Sequence, residues 1–140
     1  MNDLSPKEVV LAFFEQVRTG KNVQAAYELL AETHLAHQVV SGCEYAITRT
    51  PADYAAHIAE MHATYGDFRL TVEELLAEGD KVYVRWQQQG VHSGQLFDIA
   101  PTQRPLSERA SAVYRVAQGK IVEYWIQIET DGVRRQLESF

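Results

Sequence analysis

Cysteine is almost missing from this chain: Cys43 is the single one among 140 residues. No internal disulfide can form, and metal centres built from several thiolates are excluded. With no paired base or helix N-terminus evident beside it, Cys43 reads as a small buried side chain rather than a nucleophile. Positive charge is scarce as well. Thirteen Lys and Arg stand against nineteen Asp and Glu, a formal net charge of −6. A broad grip on nucleic-acid phosphates depends on clustered basic side chains, so no nucleic-acid partner is expected. No apolar run reaches the ~18 residues that a bilayer crossing needs. The start, Met1-Asn2-Asp3-Leu4, lacks a basic stretch leading into an apolar signal core. A cytoplasmic location without a membrane partner is the expectation.

What the chain does contain is an ordinary globular balance, 46% hydrophobic and 23% charged residues. That is too apolar for disorder. A chain of this length fits one domain, here residues 1–140, burying roughly 68% of the surface that the unfolded chain exposes.

Ser5-Pro6-Lys7-Glu8 reads as a capping box with proline at the first helical position, opening a helix to about Thr19. Val9, Val10, Phe13, Phe14 and Val17 form its buried stripe. After Gly20-Lys21-Asn22 a shorter helix is expected from Val23 to Ala31. Residues His34 to Thr50 suggest only short extended pieces. Thr50-Pro51-Ala52-Asp53 starts a third helix, with Tyr54, Ile58, Met61 and Tyr65 on its apolar side. These three aromatic and Met positions, Tyr54, Met61 and Tyr65, are assigned to the core.

From there the period changes to that of strands. Phe68–Glu78, Lys81–His92, Leu106–Ala117 and Ile121–Glu129 are rich in branched and aromatic residues and are punctuated by turn-forming sequence. Taking Gln118-Gly119 as a two-residue hairpin turn pairs Ala117 with Lys120, Ala112 with Trp125, Ala110 with Gln127, and Glu108 with Glu129. Alternation then sets Ile121, Glu123, Trp125, Gln127 and Glu129 on one face, beside the small Ala110 and Ala112. Val122, Tyr124, Ile126 and Ile128 take the other. A bulge would swap the faces beyond it. Helices followed by long strands indicate an α+β fold, with three N-terminal helices on a strongly bent, mainly antiparallel sheet that encloses a pocket.

The succession Gly79-Asp80-Lys81-Val82, Gly90-Val91-His92-Ser93-Gly94, Pro101-Thr102-Gln103-Arg104, Gly119-Lys120-Ile121-Val122-Glu123-Tyr124-Trp125 and Gln136-Leu137 resembles the SnoaL-like polyketide (ester) cyclases of the nuclear transport factor 2-like superfamily. The resemblance covers nearly the whole chain. It implies a cone of helices against a curled sheet and a general acid/base four residues after the Trp, which here is Glu129 where the family has Asp. Val91 replaces the family's Thr, and Gln103 replaces the Gly of its P-T-G-R loop.

Removing a proton from carbon next to a carbonyl needs a base held away from water, because burial raises a carboxyl pKa. Glu129 is the candidate base. His92 joins it as the second catalytic candidate, a donor for the enolate oxygen. Tyr27, His37, Trp125 and Gln127 are candidate substrate-binding residues. Aldol cyclisation of this kind needs no cofactor. His57 and His62 lie about 140° apart around a helix and do not share a metal ion easily. They read as surface or interface residues.

The leading expectation is a cofactor-free acid/base enzyme, a cyclase or a relative such as an isomerase or dehydratase, acting on an apolar carbonyl compound. Two others stay open: a non-catalytic small-molecule-binding module, and an epoxide hydrolase type with carboxylates around Arg109. A homodimer is expected to cover the apolar face of Val122, Tyr124, Ile126 and Ile128.

Overall fold

The computed structural model describes residues 4–138. Met1–Asp3, on which part of the reading of the chain's start rests, and residues 139–140 lie outside the described residues. Helix α1 (Pro6–Ala12) opens with the expected capping box: Ser5 Oγ accepts the Glu8 amide at 3.2 Å, and Glu8 Oε1 accepts the Ser5 amide at 2.9 Å. From Phe13 to Arg18 the helix widens to π-type turns, a geometry that is rare and frequent at functional sites. Its stripe of Val9, Val10, Phe13, Phe14 and Val17 is buried throughout, and so is Arg18.

The second helix is shorter than its sequence suggests. A 3-10 turn (Val23–Ala25) leads into α2 (Ala26–Leu29), and Leu30 already belongs to a strand. The region read as short extended pieces holds β1 (Leu30–Gln38) and β2 (Tyr45–Arg49). Helix α3 (Pro51–Tyr65) carries a second capping box, Thr50 with Asp53. Four long strands follow, β3 (Arg69–Glu78), β4 (Lys81–Val91), β5 (Pro105–Ala117) and β6 (Lys120–Ile128), before α4 (Thr130–Glu138).

The six strands form one sheet in the order β2-β1-β6-β5-β4-β3. All neighbours are antiparallel except β1 and β6, which run parallel. One face is covered by the helices and holds the main core, including Trp86, Tyr114, Phe13, Phe14, Tyr54 and Ile121. The other face is open. Among the described residues, no helix is long and apolar enough to cross a membrane.

The hairpin turn forms at Gln118-Gly119, both residues at positive φ, and Ala117 faces Lys120 as read. The register then slips. Arg115 faces Glu123 while Val116 faces Ile121, so Val122 is the extra residue of a bulge. Beyond it Ala112 faces Ile126 and Ala110 faces Ile128, not Trp125 and Gln127. Burial explains the slip: with the bulge, Ile121 and Tyr124 both point under the helices, where they are 0% and 3% exposed. Without it one of these large apolar side chains would face out.

One expectation falls with the register. Trp125 and Gln127 lie on the open face and not beside the alanines. Of the apolar residues read as a dimer face, Tyr124 is buried and Ile126 packs in part against the core, while Ile128 is 40% exposed. Cys43 is exposed in the β1–β2 connection rather than buried.

Candidate functional site

Alternation along β4 directs Val82, Val84, Trp86 and Gln88 beneath the helices, with His92 just past the strand end also buried. On β5 the same face carries Leu106, Glu108, Ala110, Ala112 and Tyr114, and Gln88 stands directly opposite Glu108. Most side chains on this face are apolar, yet it bears a cluster of buried polar atoms without hydrogen-bond partners. Among the described residues these are Trp86 Nε1, both amide atoms of Gln88, His92 Nε2, His34 Nε2 on β1 and, from above, Arg18 Nε. Buried polar atoms are ordinarily paired, because an unmet donor or acceptor costs about 1–3 kcal/mol. Such a concentration inside one face makes it a candidate site for a polar guest.

Helix α1 and helix α3 complete the surroundings. Arg18 Nη1 donates to Tyr54 Oη at 3.2 Å and lies 3.4 Å from Met61 Sδ. The guanidinium carbon sits 5.0 Å from the Trp86 ring centre and 5.9 Å from that of Phe14. At the end of α3, Tyr65 donates its hydroxyl to Glu108 Oε1 at 2.9 Å. Glu108 is half-buried. Burial raises its pKa above the ordinary carboxylate value, against the opposing pull of the Tyr65 hydrogen bond and of the Arg18 charge. Tyr65 is held protonated by burial and by the negative charge of Glu108. Gly90 lets the two elements approach, since a side chain there would overlap the Tyr65 carbonyl.

The residues singled out from the sequence do not converge on this interior. Glu129 is exposed; it precedes α4 and accepts the Gly132 amide at 2.6 Å, the task of a helix cap. It borders a hollow of about 390 Å³ on the open side, together with Gln127, Arg85, Arg109 and Ser111. Arg85 and Arg109 both reach Glu73 there, at 3.6 and 3.4 Å. The inward turn expected of Glu129 is therefore not what the fold produces, because the Val122 bulge changes the face and α4 claims the carboxylate.

His37 and Trp125 do meet, on the open face. Their rings stack at 4.9 Å and 4°, and His37 Nε2 lies 2.6 Å from Glu123 Oε2. Arg115 Nε donates to the other Glu123 oxygen at 3.0 Å. The His37 hydrogen bond, with Arg115, holds the Glu123 pKa below the ordinary value. Tyr27 is exposed at the rim of a separate hollow of about 920 Å³ near the hairpin turn.

His92 is the one candidate on the helix-covered side. Its Nδ1 accepts the Thr102 amide at 3.2 Å and lies 3.0 Å from Thr102 Oγ1, which leaves the ring proton on Nε2. His57 and His62 are half-buried rather than surface residues. Burial, with Arg18 and Arg49 nearby, pushes the His57 pKa down to about 4; His62 stacks on Phe68. Among the described residues, no three His, Cys, Asp or Glu side chains gather as a metal centre.

Comparison with known proteins places this geometry. The model of the SnoaL-like polyketide cyclases matches residues 8–137. The chain belongs to that family. A search of curated proteins gives no match. Among solved structures, this SnoaL-like chain is similar to a candidate polyketide cyclase from Acidithiobacillus ferrooxidans, at 19% identity and a TM-score of 0.81, covering 99% of this chain and 98% of that one. It is also similar to IdmH, a candidate polyketide cyclase from Streptomyces antibioticus, at 22% identity and a TM-score of 0.80, covering 96% and 99%. A protein from Catenulispora acidiphila with a ketosteroid isomerase-like fold, solved with trimethylamine, matches at 18% identity and a TM-score of 0.71, covering 96% and 95%. These likenesses establish the fold.

The interior residues of this SnoaL-like chain left signals in the sequence. Arg18 stands four residues after Phe14 and eight after Val10, so a charge interrupts the apolar stripe of α1. Gln88 and Glu108 each occupy the inward parity of a strand whose neighbours at that parity are Trp86, Leu106 and Ala110. A polar residue on an apolar face was the cue.

Proposed function

We propose that this SnoaL-like protein is a cofactor-free acid/base catalyst acting on a small carbonyl compound bound beneath the helices, with Glu108 as the base. The observation that carries this reading is the half-buried Glu108 carboxylate standing across the strand pairing from Gln88, whose amide has no partner among the described residues. A carboxylate of raised pKa removes a proton more effectively at neutral pH than an exposed one. Glu108 would take the proton from the carbon next to the carbonyl. The negative charge that develops on the carbonyl oxygen would be received by Trp86 Nε1–H and the Gln88 amide, donors already desolvated before the reaction begins. The enolate carbon can then attack a second carbonyl of the same molecule to close a ring, and the protonated Glu108 returns its proton to the new alkoxide, which regenerates the base. Returning the proton to carbon at a different position gives an isomerase instead. Neither route consumes an oxidant, a reductant or a metal-bound nucleophile.

The test uses solvent deuterium exchange at the α-carbons of 2-tetralone, followed by NMR. Wild type is expected to exceed the buffer rate, and Glu108→Gln to lose 10²–10⁴-fold of the enhancement, the usual worth of a positioned base. Glu129→Gln serves as the control and should retain the wild-type rate. Equal exchange by wild type and Glu108→Gln would remove the assignment.

A further inference from the structure

Arg18 is 2% exposed, and among the described residues no carboxylate lies within ion-pair distance of it. Glu108 feels its charge but gives its hydrogen bond to Tyr65. A buried cation with no counter-charge is costly, by several kcal/mol in real proteins. Its surroundings restrict how that cost can be met. Trp86 and Phe14 lie beside the guanidinium. One terminal nitrogen, Nη1, is engaged by Tyr54 and Met61. Among the described residues, Nε is buried without a partner and Nη2 makes no hydrogen bond. The side edge formed by Nε and Nη2 is the one that receives a planar two-oxygen anion through two parallel hydrogen bonds. The Trp86 ring that the guanidinium overlies, 5.0 Å from its carbon, suits the carbon skeleton of an arene.

We infer that the site beneath the helices takes a carboxylate-bearing aromatic or polycyclic substrate, its carboxylate seated on the Nε/Nη2 edge of Arg18. The inference rests on the reading of this interior as the binding site, and it names the substrate class. It also divides the labour: Arg18 anchors the acid end, while Glu108, Gln88 and Trp86 face the carbonyl end. Ala110 and Ala112 on β5 share that face and carry small side chains. Lys in place of Arg18 would keep the charge but lose the paired geometry.

Matched probes separate this from the acid/base reading. 2-Naphthoate and 2-naphthamide have nearly the same shape and differ in charge. Wild type is expected to bind the acid roughly 10- to 100-fold more tightly, the range for hydrogen bonds to an ionised group. Arg18→Met should abolish that preference, and Arg18→Lys should reduce it. Because loss of Arg18 can disturb the core, a second measurement needs no substitution: the Arg18 Nε–H resonance should shift on adding 2-naphthoate and stay put on adding 2-naphthamide. Glu108→Gln should keep the preference while losing deuterium exchange, so failure of the base leaves the anchor standing. Equal binding of acid and amide, no binding of either at millimolar concentration, or an unmoved Nε–H resonance would each overturn the assignment. So would preferential binding of a 1,3-diketone anion with the carboxylate excluded.

Discussion

Gly90→Ala tests how tightly the end of α3 is held against β4. Gly90 pairs with Leu106, two residues beyond Gln88, and its α-carbon sits beneath Tyr65. A Cβ there would overlap the Tyr65 carbonyl oxygen and stand 3.1 Å from both the carbonyl carbon and the Tyr65 Cβ. Ordinary carbon contacts are about 3.5–4.0 Å, so the helix end must retreat by roughly 0.5–1 Å or the strand must bend away. The obstruction is backbone, which cannot swing aside as a side chain can. Overpacking of this sort costs about 1–3 kcal/mol, which lowers Tm by roughly 3–10 °C in a domain of this size. The same retreat should carry the Tyr65 hydroxyl out of reach of Glu108, now 2.9 Å away. Adding Tyr65→Phe to Gly90→Ala should therefore cost less than the sum of the two separate changes, as expected of residues that act through one contact. Thermal and urea unfolding of the four proteins measure this directly. A Gly90→Ala protein that melts within 1 °C of wild type would refute the close approach, and strict additivity would refute the link to Tyr65.

The ionisation of Glu108 gives a pH prediction. Its folded pKa is raised chiefly by burial, so ionising it costs the folded state. Glu108→Gln should gain stability over wild type as pH rises from below the ordinary carboxylate value through the folded one, and the gain should fade in acid. A difference in stability that stays flat from pH 4 to pH 7 would contradict it. Glu129→Ala should cost about 0.5–2 kcal/mol by uncapping α4, visible as a lower Tm, with its probe exchange rate kept. Gln103 adopts φ +62°, a left-handed conformation that costs a side chain about 1–2 kcal/mol. Gln103→Gly should then raise stability by roughly 0.5–1 kcal/mol, read as a higher urea midpoint.

Much of the framework was legible because local chemistry and tertiary packing agree. Ser5 and Thr50 cap helices as their sequences require, and the four long strands follow their alternation. The α+β architecture followed from these, and the family from its resemblance in the ordered succession of motifs between Gly79 and Leu137. The site was less legible, for two physical reasons. The Val122 bulge is selected by the need to bury both Ile121 and Tyr124, a demand that exists only once the helices lie across the sheet. Counting by twos from the hairpin therefore placed Trp125, Gln127 and Glu129 on the wrong side. Glu129 also competes between two uses, and the amide of Gly132 in the following helix wins. By contrast, Arg18, Gln88 and Glu108 could have been found, since each breaks an apolar pattern at the parity that faces inward.

The parallel pairing of β1 with β6 sets a condition on how this molecule comes into being. Residues 30–38 must wait for residues 121–126 before that ladder can close, and such distant contacts delay folding relative to local ones. On a ribosome, β1 emerges with only its hairpin partner β2 available, while its other edge carries unmatched backbone groups until the last strand arrives. A nascent chain halted before Lys120 should expose that edge and associate with other chains. Emergence of β6 and α4 would then be the moment at which the interior first becomes enclosed.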